Sequence, residues 1–341
     1  MSKFLNLIIN PVGDSCNLNC SYCYTHHRNG YNGKLAIPEL CKLIGTISTL
    51  NGLKYVNFTW HGGEPLLMGI DYFRKIIEYQ KAVAHTIKYD NVIQSNGLLL
   101  DEEWIQYFIK EHISLGISID GTDYESNRNR FASETQFELL LSNLRALKSI
   151  NYRPAFFFTI TQENINRLEE IFDFIEDYRP FSYMFNPVMD EHFAITADQW
   201  CHTLKMMKAF SERTRIMNAL TFHIDNGIHG EIPKLCLING MCNKFISVDN
   251  TGNIFASCIC HSSNLRLSNV SSNSLYNDIQ LYIDTPVRNN SPSIYHRLGR
   301  SPQFRYFQGS GCEKCRTHIN NEEFVNGIVK YILETTGVTI H

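Results

Sequence analysis

The pattern of hydrophobic and polar positions alternates between two periods over the first 216 residues. Short apolar runs rich in β-branched residues predict strands, and the stretches between them carry apolar residues at helical spacing. The predicted strands are 4–10, 55–60, 91–95, 115–119, 155–160 and 183–188. The predicted helices are 38–50, 71–84, 101–112, 135–150, 166–178 and 197–216. Six strand-then-helix units in succession favour a parallel sheet with helices outside it, and therefore an α/β fold built as a partial (β/α)6 barrel.

The pattern changes after residue 216, where cysteine, glycine, serine and asparagine become more frequent. The stretch SVDNTGNIFAS (247–257) predicts a β-hairpin with an Asn-Thr-Gly-Asn turn. The segment 322–336 has the pattern of a final helix. We therefore predict two domains, the partial barrel over 1–216 and a small cysteine-rich C-terminal domain over 217–341.

Composition excludes several classes of protein. The formal net charge is −3, so bulk electrostatics attract neither nucleic acid nor an anionic membrane surface. No apolar run approaches the ~20 residues that a membrane helix needs, and Pro11, Gly13 and Asp14 end the first apolar stretch without a signal-peptide cleavage site. We expect a cytoplasmic protein. Cysteines stay reduced there, so the eleven cysteines of the chain favour metal binding or catalysis over disulfides.

Three of these cysteines, Cys16, Cys20 and Cys23, follow the first strand with the spacing C-x3-C-x2-C. One hypothesis is a zinc site, which needs four ligands and would take His26 as the fourth. The other is a 4Fe–4S cluster with one iron left open for a further ligand. The position favours the second hypothesis, because chemistry in parallel α/β barrels gathers at the carboxyl ends of the strands.

Polar residues also follow the other predicted strands. After the second predicted strand, Gly62 and Gly63 let the backbone approach a ligand closely, and Glu64 adds a carboxylate beside them. A structural zinc site would not explain polar residues at so many strand ends, and together they predict a polar ligand pocket at the barrel mouth. The stretches are WHGGEPLL (60–67), QSNG (94–97), SIDG (118–121), TITQEN (159–164) and NP (186–187).

Over about residues 5–190 the chain resembles radical S-adenosylmethionine (radical SAM) enzymes, in which C-x3-C-x2-C holds a 4Fe–4S cluster and the cofactor chelates the open iron. The resemblance implies that Cys16, Cys20 and Cys23 are the cluster ligands. It also implies that S-adenosylmethionine yields a 5′-deoxyadenosyl radical that removes a hydrogen from an unactivated carbon. The positions that match cofactor-binding residues are Tyr22 near the adenine, Gly62, Gly63 and Glu64 at the methionyl amino group, Asn96 at a strand end, and Ser118 and Arg130 at the ribose and carboxylate.

A second group of cysteines lies in the tail, at positions 236, 242, 258, 260, 312 and 315. Two zinc knuckles are one hypothesis. The hairpin and LSNVSSNSL also resemble the SPASM or twitch extension of radical enzymes, although Ser268 stands where that pattern has glycine. Because no cysteine follows Cys315, we expect one auxiliary 4Fe–4S cluster. Its ligands would be Cys242, Cys258 and one or both of Cys312 and Cys315, with Cys236 as a competitor. The remaining Cys41 and Cys201 are predicted to be ordinary buried thiols.

The predicted function is a radical SAM peptide maturase that abstracts a side-chain hydrogen and closes an intramolecular crosslink, of cyclophane type or related, in a ribosomal precursor peptide. The alternative is a dehydrogenase of the formylglycine-forming, sulfatase-maturating type. That branch places an aspartate after the hairpin cysteine as a base, whereas Ile259 follows Cys258 here. The catalytic residue is not identified. A non-enzyme alternative is a zinc-binding scaffold.

The resemblance also implies partners. A precursor peptide is the substrate, and an electron donor of flavodoxin or ferredoxin type reduces the cluster. Fifteen residues precede Cys16, too few for the peptide-binding domain that many maturases carry there. Leader recognition would therefore need a separate leader-binding protein or the barrel itself.

Overall fold

A computed structural model describes residues 3–23, 33–85, 87–188, 190–231, 245–258, 263–285 and 322–338. Within these residues the strands, β1 to β10 in chain order, are Lys3–Ile9, Leu53–Trp60, Lys88–Ser95, Ser114–Ser118, Ala155–Ile160, Ser182–Pro187, Met217–Asn218, Phe245–Val248, Asn253–Phe255 and Arg266–Asn269. The helices, α1 to α10, are Ile37–Ser48, Ile70–Val83, Glu102–Glu111, Tyr124–Asn127, Glu134–Ser149, Leu168–Tyr178, Ala197–Thr214, Ala219–Ile228, Leu275–Asp284 and Glu322–Thr336.

The six predicted strand-then-helix units are confirmed, with boundaries that differ from the prediction by at most three residues. The predicted hairpin is confirmed as β8 and β9, which pair antiparallel, and the final helix is α10. The pattern did not reveal α4, β7, α8, β10 or α9. Helix α4 is a single turn of four residues started by the side chain of Asp123, too short to show a helical period.

The chain forms two compact units, each made of several stretches. The first consists of Met1–Asn19, Cys23–Gly116 and Asn243–Val287, and the second of Cys20–Tyr22, Ile117–Cys242 and Arg288–His341. The domain boundary predicted at residue 216 stays a prediction. No helix among the described residues is both long and apolar enough to cross a membrane.

In the first unit the strands lie in the order β10-β9-β8-β1-β2-β3. β1 pairs parallel with β2 and with β8, and β2 pairs parallel with β3. Residues alternate in burial along β2, so that Phe58 and Trp60 are fully buried while Asn57 and Thr59 are partly exposed. The Trp60 ring packs edge-on against Phe73 of α2, with ring centroids 5.0 Å apart. One face of this sheet is therefore the helix-covered core, and the other carries polar side chains.

In the second unit β5, β6 and β7 pair in parallel. The core is aromatic: Phe172 of α6 stacks on Phe210 of α7 with centroids 4.7 Å apart. The final helix α10 packs against α7 through a glycine, because a Cβ on Gly327 would lie 2.3 Å from the Cβ of Trp200. The parallel α/β fold class predicted from the sequence is confirmed.

The two cysteines outside the predicted clusters differ from each other. Cys201 is buried, as predicted, but Cys41 is only partly buried. α1 buries Leu40, Leu43 and Ile44, and Cys41 lies at the flank of that apolar face.

Candidate active site

A tight loop follows β2 and carries the predicted Gly62, Gly63 and Glu64. The two glycines have φ angles of +109° and +52°, which side-chain-bearing residues rarely adopt. A Cβ on Gly62 would lie 2.5 Å from Cγ of Asn10, and a Cβ on Gly63 would lie 2.2 Å from the carbonyl oxygen of Ser15. The backbone N–H of Glu64 donates to the same carbonyl at 2.9 Å. The loop therefore packs backbone to backbone against the segment that leads into the first cysteine.

The Glu64 carboxylate joins the ends of two strands. It is 1% exposed. Oε1 accepts hydrogen bonds from Ser95 Oγ at 3.0 Å and from the Leu66 backbone N–H at 3.1 Å, and Oε2 accepts one from the Asn96 N–H at 2.9 Å. Burial raises the pKa of Glu64 to about 7, against the opposing effect of these hydrogen bonds. Glu64 thus braces the loop after β2 against the end of β3, and its predicted contact with a cofactor amino group stays a prediction.

Asn96 lies just after β3 and reaches the cysteine loop. Its Nδ2 donates to Oδ1 of Asn17 at 2.7 Å and lies 3.8 Å from Sγ of Cys16. Its own Oδ1 accepts from the Leu98 N–H at 3.0 Å, which closes a turn after the strand. The strand end singled out in the sequence therefore lies against the first predicted cluster ligand.

Cys16 is partly buried, and burial raises the pKa of its thiol. The Leu18 N–H, 3.4 Å from the sulfur, lowers that pKa in opposition. The charges of Glu64 and Cys23 raise it further. A cation bound at the sulfur would reverse this balance, because a coordinating thiol is deprotonated by the metal.

Asn10, directly after β1, lies against the Gly62 loop and was not singled out from the sequence. Its side chain packs on Gly62, it is 7% exposed, and its Oδ1 has no hydrogen-bond partner among the described residues. Its backbone N–H donates to the Val248 carbonyl at 2.9 Å. A buried acceptor without a donor costs free energy in the protein alone. The available signal was a polar residue at the last position of the predicted strand 4–10.

In the second unit Tyr22 and Arg130 meet at Asp120, another residue that the sequence analysis did not assign. The Tyr22 hydroxyl donates to Asp120 Oδ2. Arg130 donates from Nε to Oδ2 at 3.2 Å and from Nη2 to Oδ1 at 3.0 Å. The Arg130 guanidinium also lies over the Tyr22 ring, 5.8 Å from its centroid. Cys20 lies beside this group, with its sulfur 3.7 Å from the Arg130 carbonyl oxygen.

Ser118 is the last residue of β4 and is partly exposed. The turn after it is tightly packed, since a Cβ on Gly121 would lie 2.2 Å from the Cβ of Ser126. Contact of Ser118 with the ribose stays a prediction.

The predicted site residues therefore fall into two groups. The first unit brings Cys16, Gly62, Gly63, Glu64 and Asn96 together, and the second unit brings Cys20, Tyr22 and Arg130 together. The chain passes from the first unit to the second and back between Asn19 and Cys23. Among the described residues, no three His, Cys, Asp or Glu side chains are grouped so as to hold a single metal ion.

Most of the tail cysteines lie outside the described residues: Cys236, Cys242, Cys260, Cys312 and Cys315. Cys258 is described and lies partly buried after β9. Ser268, which stands where the resembling pattern has glycine, donates from Oγ to Asp278 at 2.6 Å and so ties β10 to α9. The ligand set of the predicted auxiliary cluster stays a prediction.

A protein-family model matches the part of the chain that carries the candidate site. Residues 10–175 match the model of the radical SAM superfamily. The chain carries a radical SAM domain. The resemblance stated from the cysteine and Gly-Gly-Glu motifs is confirmed, as is the prediction that the chain is an enzyme, and the non-catalytic zinc scaffold is set aside.

Two relatives show how far the likeness extends. The serine-type anaerobic sulfatase-maturating enzyme of Bacteroides thetaiotaomicron is 34% identical over 154 residues, which cover 43% of this chain and 37% of that relative. The cysteine-type anaerobic sulfatase-maturating enzyme of Clostridium perfringens (strain ATCC 13124) is 22% identical over 334 residues, which cover 92% of this chain and 90% of that relative. The first match is thus stronger but spans little more than a third of the relative, and the second spans most of both chains.

Two solved structures share the fold of this chain. Native anSMEcpe with bound AdoMet and Cp18Cys peptide matches with a TM-score of 0.79 and 20% identity, covering 98% of this chain and 97% of that chain. Streptococcus suis SuiB bound to precursor peptide SuiA matches with a TM-score of 0.57 and 13% identity, covering 92% and 76%. At these identities the likeness is one of fold.

Proposed function

We propose that this chain is a radical SAM enzyme that oxidises a side chain of a peptide or protein substrate. The observation that supports the proposed cofactor is the Gly62–Gly63 loop. It packs on Ser15, next to the first cysteine, at a distance that leaves no room for a side chain. The substrate class is supported by the length of the match to sulfatase-maturating enzymes and by fold neighbours with bound peptides.

Cys16, Cys20 and Cys23 are proposed to hold a 4Fe–4S cluster, with S-adenosylmethionine at its open iron. The residues near Cys16 suit such a ligand. Asn10 offers a buried carboxamide oxygen without a donor, and the cofactor's ammonium group would supply the missing donor. When bound, the cluster and cofactor supply the power to remove a hydrogen atom from an unactivated carbon.

The protein's own residues would bind and orient. Gly62 and Gly63 let the backbone approach the cofactor, and Glu64 holds that loop against the end of β3. In the second unit Arg130 offers a guanidinium for a carboxylate, and Tyr22 offers an aromatic face for the adenine. Ser118 at the end of β4 offers a hydroxyl for the ribose.

The reaction proposed first is closure of a crosslink between two side chains of a precursor peptide. It removes two hydrogens, one as an atom and one as a proton; an auxiliary iron–sulfur cluster, which Cys258 would help to hold, would supply an acceptor for the remaining electron. Ile259 after Cys258 favours this reaction, because a formylglycine-forming enzyme of the resembling branch would have an aspartate base there.

A second candidate is formylglycine formation, in which a side chain loses hydrogen to become an aldehyde. The observation that favours it is the match over 92% of this chain to an enzyme named for sulfatase maturation. The proposed flavodoxin or ferredoxin donor serves either reaction. A leader-binding protein is proposed for crosslinking only, and a cytoplasmic location stays a prediction.

The experiment uses the anaerobically reconstituted full chain with S-adenosylmethionine and a chemical reductant. One substrate is the Cp18Cys peptide, and the other is a short precursor encoded beside the gene. A product lighter by two hydrogens that does not react with a hydrazine reagent supports the crosslink. A hydrazine-reactive product supports the dehydrogenase. Formation of 5′-deoxyadenosine with neither peptide altered would exclude both peptides as substrates. A colourless protein that leaves S-adenosylmethionine intact would contradict the proposed cofactor site.

A further inference from the structure

We propose that Asp120 is a positioning residue for the cofactor site, which holds the Tyr22 phenol and the Arg130 guanidinium in one fixed arrangement. The inference rests on the proposed cofactor function of Tyr22 and Arg130 and adds the residue through which both are placed. Asp120 lies two residues beyond β4, 98 positions from Tyr22 in the chain.

All of the hydrogen bonds around Asp120 lie within the second unit. Oδ2 accepts from the Tyr22 hydroxyl and from Arg130 Nε. Oδ1 accepts from Arg130 Nη2 at 3.0 Å and from the Thr159 backbone N–H at 3.0 Å. One carboxylate therefore joins the cysteine loop, the segment after α4 and strand β5.

The pair is buried, which makes it costly to disturb. The Asp120 side chain is 2% exposed and the Arg130 side chain 9% exposed. Arginine and carboxylate meet through two nearly parallel N–H···O bonds, a geometry that restricts the guanidinium plane as well as its position. Removing one partner of such a pair leaves the other charge buried without compensation.

The backbone that carries Asp120 is itself held in place. Its N–H donates to Asn127 Oδ1 at 2.8 Å, and its carbonyl accepts from Asn164 Nδ2 at 2.9 Å. Asn127 also donates to the Gly121 carbonyl at 3.0 Å. Asp120 is thus a fixed point on the scaffold to which two functional side chains are attached.

The consequence for the cysteine loop follows from chain connectivity. Tyr22 precedes Cys23 and follows Cys20 by two residues, and Phe193 packs edge-on against its ring at 6.1 Å. The Ser21 N–H donates to the Asn129 carbonyl at 2.8 Å, beside Arg130. Without the phenol-to-carboxylate hydrogen bond and its paired arginine, this turn of the loop loses the contacts that set its position.

The same loop supplies a matched control. Asp123, three residues after Asp120, pairs with Arg167. Its side chain is 45% exposed, however, and Arg167 also pairs with the exposed Glu170. Asp123→Asn removes a carboxylate–arginine pair that makes no contact with the cysteine loop among the described residues, and Asn still serves as the N-cap of α4.

The test compares Asp120→Asn, Tyr22→Phe, the double variant and Asp123→Asn in the reconstituted full chain. Dissociation constants for S-adenosylmethionine come from equilibrium dialysis. The change in the electron paramagnetic resonance spectrum of the reduced cluster on cofactor addition reports the placement of the cofactor.

We expect Asp120→Asn to weaken binding about tenfold or more, the scale of one charge-assisted hydrogen bond, and to reduce the spectral change. The double variant should lose less than the product of the single losses, because both remove one interaction. Asp123→Asn should bind as the wild type does.

A second readout does not depend on the cofactor. In the full chain prepared without iron, the rate of alkylation of Cys20 should rise in Asp120→Asn and in Tyr22→Phe, and stay unchanged in Asp123→Asn. If Asp120→Asn does not fold, Tyr22→Phe carries the test alone. Unchanged alkylation together with unchanged cofactor affinity would overturn the inference, even where the melting temperature falls. If the wild type binds no cofactor but the alkylation rates differ as expected, the proposed function fails and the positioning role of Asp120 stands.

Discussion

Glu64 and Asn96 join the carboxyl ends of β2 and β3, because the Asn96 backbone N–H donates to Glu64 Oε2 at 2.9 Å in a fully buried position. The side chain of Asn96 then reaches to 3.8 Å from the Cys16 sulfur. The motif carboxylate is therefore a brace for the loops of the proposed cofactor site, and its removal should affect both stability and binding.

Glu64→Gln should weaken binding of S-adenosylmethionine and lower the melting temperature. The Glu64 carboxylate accepts hydrogen bonds from three donors, and glutamine replaces one of its oxygens with an N–H₂ group that cannot accept. At least one buried donor is then left unsatisfied, at a cost of about 1–3 kcal/mol. Titration and thermal melts measure the two effects. The matched control is Glu78→Gln on the exposed face of α2, which should change neither quantity. Equal affinity for Glu64→Gln and the wild type would show that the brace does not influence the site.

The stability contribution of Glu64 should depend on pH. Burial raises the pKa of its carboxyl group from an ordinary 4.5 to about 7 in the folded protein. The fold therefore favours the protonated form, so the contribution is fully present below 4.5 and is lost as the pH rises through about 7. Urea unfolding at several pH values should show the wild type losing stability relative to Glu64→Gln across that window. If the stability of the wild type relative to Glu64→Gln instead rose with pH, the predicted direction of the pH dependence would be wrong.

Gly63→Ala should abolish cofactor binding, whereas Gly69→Ala should leave binding intact. Both glycines have positive φ angles, of +52° and +79°, in regions that side-chain-bearing residues rarely adopt, so both substitutions carry a backbone cost of about 1–3 kcal/mol. A Cβ on Gly63 also meets the Ser15 carbonyl at 2.2 Å, while one on Gly69 meets nothing within 4 Å. Equilibrium dialysis and thermal melts on both variants separate the backbone cost from the cost of the clash with Ser15. Equal losses of cofactor affinity in the two variants would contradict the role given to close packing.

Asn10→Leu should reduce cofactor affinity without reducing the stability of the cofactor-free chain. The unpartnered Oδ1 costs free energy when no donor is bound, so replacing the amide with an apolar group of similar size should be neutral or stabilising. The proposed ammonium contact would be lost. A lower melting temperature with unchanged affinity would show that Asn10 serves the fold alone.

Replacing Cys16, Cys20 and Cys23 with Ala should stop 5′-deoxyadenosine formation and leave about four irons per chain, one auxiliary cubane. Iron analysis after anaerobic reconstitution measures this, with Cys41→Ala as the control that keeps the wild-type content. Near zero iron would contradict the auxiliary cluster. About eight would indicate two further clusters.

The sequence by itself determined the succession of strands and helices through β6 and α7, because each element carries its own period of apolar residues. It also determined the class of chemistry. Three cysteines at a fixed spacing and Gly62–Gly63–Glu64 one strand later are local motifs, and their meaning does not depend on distant contacts. The one-turn helix α4 and the two-residue strand β7 escaped prediction because so few residues cannot show a period.

Only the tertiary structure decided how the motif residues act. The partners of Glu64 lie on another strand end, and the partner of Tyr22 lies 98 positions away, so no local pattern links them. The sequence marked QSNG and SIDG as polar strand ends, but it did not reveal that Glu64 would be enclosed by three donors, or that Arg130 would be held by Asp120. Such pairings depend on the register of parallel strands, which brings the carboxyl ends of β1, β2 and β3 to one edge of the sheet. The same register determines which buried polar atoms find hydrogen-bond partners and which, like Asn10 Oδ1, find none among the described residues.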